Sequence, residues 1–182
     1  MVPNVAEAWE DHPLSSLSII RCKPWHAGKV ALMGDAAHGT VPFYGQGMNA
    51  GFEDITVLNQ MIERYGDDWN AVFRAYEKSR KPNADAIAEL SRRNFIEMST
   101  KTADTQFHLQ KKIEKWFSEK HPDKWMPLYS RVTFSLQPYS EALAIGDYQN
   151  AIMEQIMTIP DIATKWNSPE VEAQLIALLQ KD

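Results

Sequence analysis

The sequence predicts a mainly α protein with a small α/β remnant at its start. Three observations lead there. Strand-like apolar runs are confined to residues 17–22 and 30–33. From Asn49 onward the apolar residues recur at helical spacing. Between the two lies KVALMGDAAHGTVPFYGQGMNAGFE, residues 29–53, which reads as strand, acidic turn, glycine-rich loop and helix start. That order suits a ligand cradle. Glycines let the backbone approach a ligand and take positive φ. A helix start adds unpaired N–H groups and a partial positive charge.

The elements follow in chain order. Residues 6–10 make one or two helical turns. Residues 17–22, LSIIRC, are expected to form a strand paired with a buried strand at 30–33, across a turn at 25–28. Two strands make no stable sheet, so the rest of that sheet is expected from elsewhere. Phe52, Ile55, Leu58, Met61, Ile62 and Tyr65 line one face of a helix that Gly66 stops. Asp67 or Asp68 caps the next helix, on Trp69, Val72, Phe73 and Tyr76, and Pro82 is expected to end or kink it. A further helix at 83–98 uses Ile87, Leu90, Phe95 and Met98, and another at 107–119 uses Ile113, Trp116 and Phe117. Pro122 and Pro127 bracket a linker. Residues 128–136 fit strand or helix, and 139–157 fit helix despite Gly146. Ser168-Pro169-Glu170 starts a last helix carrying Val171, Leu175, Leu178 and Leu179. The expected division is 1–66, an incomplete α/β part, and 67–182, a helical domain.

Composition narrows the function classes. The chain has 182 residues, 44% hydrophobic and 24% charged, an ordinary soluble balance. A net charge of −5 without a long basic run argues against nucleic acid or an anionic membrane as main partner. One cysteine, Cys22, rules out an internal disulfide and fits a reducing, cytoplasmic location. The start has no signal-peptide pattern, and no apolar run approaches the roughly 20 residues of a spanning helix. The six tryptophans and eight methionines read as bulky core filling. Five histidines show neither HExxH nor any ligand spacing, so no metal is expected. There is no GxSxG nucleophile elbow. GxGxxG is absent as well, since Gly45-Gln46-Gly47 follows a loop and Gly51 falls too late. His38, beside a tight loop, reads as a structural hydrogen-bonder rather than a base. Asp35 is either a turn aspartate or an acceptor for a ligand hydroxyl at a strand end, and the glycine-rich loop behind it favours the acceptor.

GDAAHGTVPFYGQGMNAGFED, residues 34–54, resembles the second FAD motif of the single-component FAD-dependent aromatic hydroxylases. The flanks DHPLSSLSIIRCKPW, ELSRRNFIEM and PLYSRVTFSLQPYSEAL are similar to the kynurenine-hydroxylating branch of that family. The likeness runs from about residue 2 to about residue 144. It implies the C-terminal part of an FAD-binding monooxygenase fold: strands and ligand loop of the FAD domain, then a helical domain closing the substrate pocket. It implies FAD as cofactor and NADPH as co-substrate, with O2 converted on the flavin to a C4a-hydroperoxide that attacks an electron-rich ring. Asp35 would accept from the flavin ribityl chain, and the amides of Gly47, Met48 and Asn49 would face the pyrimidine edge. Pro42, Phe43 and Tyr44 would line the substrate side. Asn94 and Tyr129 would hold the amino-acid end of a small aromatic substrate.

The departures carry their own expectations. The family's GxGxxG βαβ unit, and the arginine and tyrosine that bind the substrate carboxylate, are not found here. The chain alone is therefore expected to bind FAD weakly or not at all, to be inactive without the N-terminal FAD-binding portion, and to self-associate through exposed apolar surface. Tyr44 stands where relatives often carry phenylalanine or histidine, so a hydroxylase of another aromatic remains an alternative. A non-catalytic helical binding module is the other.

Overall fold

The computed structural model describes residues 4–13 and 15–180. Residues 1–3 and 181–182, the outer ends of the two expected parts, and Leu14, in the DHPLSSL flank, lie outside the described residues. The chain is mainly helical, with one two-stranded sheet. The helices are α1 (Val5–Asp11), α2 (Asp35–His38), α3 (Gly47–Tyr65), α4 (Trp69–Ile96), α5 (Thr105–Lys120), α6 (Leu128–Phe134), α7 (Tyr139–Ile156), α8 (Ile162–Lys165) and α9 (Pro169–Leu179). A 3₁₀ turn, Pro42–Tyr44, precedes α3, and a π-helical segment, Glu97–Lys101, continues α4.

The sheet departs from expectation. Strands β1 (His26–Ala27) and β2 (Val30–Ala31) pair antiparallel, with Ala27 opposite Val30. Residues 17–22 are not the partner of β2. They run extended against the α2 end, where Ile20 N–H donates to Gly39 O at 2.8 Å and Cys22 N–H to Ala37 O at 3.3 Å. Nor is β2 buried: Val30 is 66% exposed. A two-residue strand on a hairpin has no second layer to bury its apolar side chain against.

The α3 stripe is corrected too. Phe52 and Ile55 face solvent, and the buried positions are Ala50 and Asp54. The helix turns a polar residue inward because that residue has partners there. Gly66 stops α3 as expected, its N–H donating to Ile62 O at 2.8 Å. Asp68 caps α4 by accepting from Ala71 N–H at 3.0 Å.

Pro82 does not end its helix. α4 runs 28 residues through it and becomes the spine, packing on α3, the 3₁₀ turn and α7. Tertiary contacts along both halves of α4 outweigh the one lost backbone bond. Ile87 and Leu90 are buried as expected, whereas Phe95, Met98 and Trp69 are exposed. The ambiguous stretch 128–136 is helical as α6. Ser168 caps α9, its Oγ accepting from Val171 N–H.

Three apolar clusters result. Trp25, Ala37, Tyr76 and Ala84 form one; Ala50, Ile87, Leu90, Val132, Tyr139 and Ala142 form the second. The third joins Ile113, Phe117 and Trp125 to Ile152, Ile156, Val171 and Leu175. Trp25 and Trp125 are core residues, but Trp9 is exposed. Among the described residues no helix is long and apolar enough to cross a membrane.

Candidate functional site

The ligand loop is held from behind by one buried carboxylate. Asp54, on the second turn of α3, is fully buried. Its Oδ2 accepts from the Gly34 N–H at 3.0 Å and from His38 Nε2 at 2.5 Å, and its Oδ1 accepts from Arg80 Nε at 2.8 Å. Arg80 also donates to Ala50 O at 3.1 Å and to Glu53 at 2.6 Å. Burial pushes the Asp54 carboxyl up, but the bonds from His38, Arg80 and the Gly34 amide outweigh it and hold the group below its ordinary value. His38 is buried and stacks on Trp25 with ring centroids 5.3 Å apart. It is the structural hydrogen-bonder that its position suggested. The sequence reading passed over Asp54, although it lies on the same helical stripe as Ala50, Leu58 and Met61, and an acid on a buried stripe needs partners.

Through Asp54 the Gly34 turn is fixed against α3. A Cβ on Gly51 would come within 4.0 Å of Gly34 Cα, so the two segments are in backbone contact. Gly34 itself has φ +56°, which favours glycine. The next residue, Asp35, opens α2 just past the turn that Asp54 holds to α3. Its side chain is exposed and makes no hydrogen bond among the described residues. At that N-terminus, no side chain caps the first turn. Gln46, one residue earlier, is buried; its Oε1 accepts from Asn49 Nδ2 at 2.8 Å and from the Tyr139 hydroxyl at 3.1 Å, tying the loop to α7. The amides of Gly47, Met48 and Asn49 stay open, with Met48 72% exposed.

These residues fit a flavin. Its pyrimidine edge needs outward amide donors and a helix N-terminus, which the first turn of α3 offers, and its sugar chain needs an acceptor, which the exposed Asp35 carboxylate offers. The Thr40 hydroxyl is a buried polar group without a hydrogen-bond partner among the described residues, and a Cβ on Gly47 would stand 3.6 Å from the Thr40 methyl.

The substrate-side residues separate into two groups. Tyr44, Asn94 and Tyr129 line one cavity of about 390 Å³, walled also by Glu97, Lys101 and Gln149. The Tyr44 and Tyr129 rings stack at 5.6 Å. Burial, with the negative charge of Glu97 beside it, pushes the Tyr44 hydroxyl up to about 12, so it stays a donor. Pro42 and Phe43 do not line that cavity. Pro42 is exposed, and the Phe43 ring packs on Phe95 at 4.7 Å. Asn94 bridges the groups: its amide donates to Phe43 O at 2.7 Å and so braces the 3₁₀ turn from α4. Glu97 was also missed; it lies one turn past Asn94 in the π-helical segment, a form frequent at functional sites.

A family model described as an FAD binding domain matches residues 15–91, the segment that holds the Gly34 turn, α3 and most of α4. That segment is thus similar to FAD binding domains. Along its whole length the chain is 64% identical to the kynurenine 3-monooxygenase of Flavobacterium johnsoniae, over 182 residues that make 41% of that protein. It is 62% identical over 180 residues to the enzyme of the same name from Flavobacterium psychrophilum, and 59% over 181 residues to that of Christiangramia forsetii, covering 40% of each. The chain is a relative of the kynurenine 3-monooxygenases and spans about two-fifths of their length.

Proposed function

We propose that this chain forms part of a flavin-dependent monooxygenase that hydroxylates the aromatic ring of L-kynurenine with NADPH and O2, in the cytoplasm. One observation carries the reading: the first turn of α3 is uncapped, and the turn that leads into the exposed Asp35 is tied to the same helix by the bond from Gly34 N–H to Asp54. When bound, FAD supplies the redox chemistry that NADPH and O2 require. The chain supplies binding and order. Gly47, Met48 and Asn49 offer amides to the pyrimidine edge, and Asp35 accepts from a ribityl hydroxyl. Pro42 and Phe43 present an apolar rim that keeps water from the reacting face. Tyr44, Asn94 and Tyr129 orient the amino-acid end of the substrate in their cavity, with the Glu97 carboxylate opposite an ammonium. No nucleophile or metal is asked of the chain. Residues 1–66 belong in this reading to the FAD-binding part and 67–182 to the helical part that closes the pocket.

The test is a chimera in which this chain replaces the aligned portion of the Flavobacterium johnsoniae relative. Kynurenine should accelerate NADPH oxidation by the flavin-loaded chimera and yield a product one oxygen heavier. If another phenol or aniline accelerates it and kynurenine does not, the substrate assignment is wrong. A folded chimera that binds FAD but responds to no aromatic points instead to a binding module.

A further inference from the structure

A second concavity, of about 600 Å³, opens between Lys23-Pro24, β1 and the first half of α4. Helical spacing builds its α4 wall. Arg74, Lys78, Lys81 and Asp85 recur at i, i+4, i+7 and i+11 and share one stripe. The carboxylates in the groove are already engaged. Glu77 accepts from the Trp25 backbone N–H at 3.0 Å and from the His26 ring at 2.8 Å, and Asp85 accepts from Lys81 at 2.8 Å. Lys23, Arg74 and Lys78 remain, exposed and with no ion-pair partner among the described residues.

The groove therefore gathers positive charge in a protein whose net charge is −5. Arg74 and Lys78, four apart on α4, repel each other, which weakens a helix unless an anion sits between them. One forked guanidinium with two ammonium groups is a donor set suited to phosphate. The volume lies in the range of small-molecule sites and exceeds what bare phosphate fills. We propose that this groove binds the phosphomonoester of a nucleotide, gripped by Lys23, Arg74 and Lys78. Two sources share that chemistry. One is the 2′-phosphate of the reducing co-substrate, which rests on the function proposed above. The other is a separate regulatory nucleotide.

Calorimetric titration of the 182-residue chain at low ionic strength with adenosine 2′,5′-bisphosphate tests the groove directly. Saturable binding is expected, absent with adenosine and weakened roughly tenfold by the double substitution Arg74→Gln, Lys78→Gln. Lys165→Gln, on α8, should leave it unchanged. No saturable binding, or equal binding by the double variant, overturns the proposal and leaves a solvated basic face. The chimera then separates the sources. A raised KM for NADPH but not NADH, at constant kcat, in the double variant assigns the groove to the co-substrate. An unchanged KM alongside weakened bisphosphate binding assigns it to another nucleotide. A chimera without kynurenine-dependent NADPH oxidation counts against the function above, and the titration still decides the groove.

Discussion

Asp54 holds a full negative charge out of water, with Arg80, His38 and the Gly34 amide as donors around it. Removing the charge leaves the guanidinium of Arg80, itself buried, with the half-exposed Glu53 as its one remaining carboxylate partner among the described residues. Asp54→Asn should lower the unfolding free energy by about 3–5 kcal/mol in urea titration, the range for breaking a buried pair. The pH dependence has a definite sign. The folded carboxyl lies below its unfolded value of about 3.9, so its stabilisation is complete above that value and is lost as pH falls through the folded one. Between pH 6 and pH 3 the wild-type melting temperature should therefore fall more steeply than that of Asp54→Asn. Tyr129 offers a separate test. It is 53% exposed and stacks on Tyr44 at the cavity wall, so its hydroxyl is free to meet a ligand. In the chimera, Tyr129→Phe should weaken kynurenine binding by about 1 kcal/mol or more, the loss of one hydrogen bond to a charged group; unchanged affinity would remove Tyr129 from the site. Asp35, Asn94 and Tyr129 could be singled out because a motif and its flanks point to them. Asp54 and Gln46 were not singled out, because their partners come from α4 and α7, and no local pattern names a partner 26 or 93 residues away.

Helix α4 shows where local rules lose to packing. Pro82 removes a backbone donor and crowds the carbonyl four residues earlier, yet the helix continues because α3 and α7 grip its length. With the helix already formed around it, Pro82→Ala should raise stability by about 2 kcal/mol, the interior proline penalty less the lost rigidity of the unfolded chain. Denaturant midpoints would show it, and a drop would mean that the proline ring itself contributes packing. Gly146 is the reverse case. Its helix, α7, was legible from periodicity, but the reason for the glycine was not. A Cβ there would stand 2.7 Å from Leu128 Cδ2 and 3.2 Å from Leu128 Cγ, so α6 sits directly on the glycine. Gly146→Ala gains about 1 kcal/mol of helix propensity and meets an overpacking cost of about 1–3 kcal/mol. The net expectation is a loss of stability. Because Tyr129 follows Leu128 on α6, kynurenine binding in the chimera should weaken with it.

Across the whole molecule, the short hairpin and one face of α3 leave apolar side chains open, although Trp25, Ala37 and Ala50 of the same part join buried clusters with α4. Periodicity alone made the α3 stripe look buried, since it counts apolar residues and cannot say whether a second layer reaches them. Met48, Phe52 and Ile55, at i, i+4 and i+7, share a face and are 72%, 59% and 53% exposed. With Val30 also exposed, the chain presents the kind of apolar patch that a monomer rarely keeps bare. The occupant available to the chain alone is a second copy of itself. Sedimentation should show association that rises with concentration, driven by area removal at roughly 25 cal/mol per Å². Replacing Phe52 by glutamate and Ile55 by lysine should abolish it. Both side chains face solvent, so the melting temperature of the monomer should scarcely move, as for surface substitutions generally. If the substituted chain still associates, the contact lies elsewhere, and the exposed α3 face is not what holds the copies together.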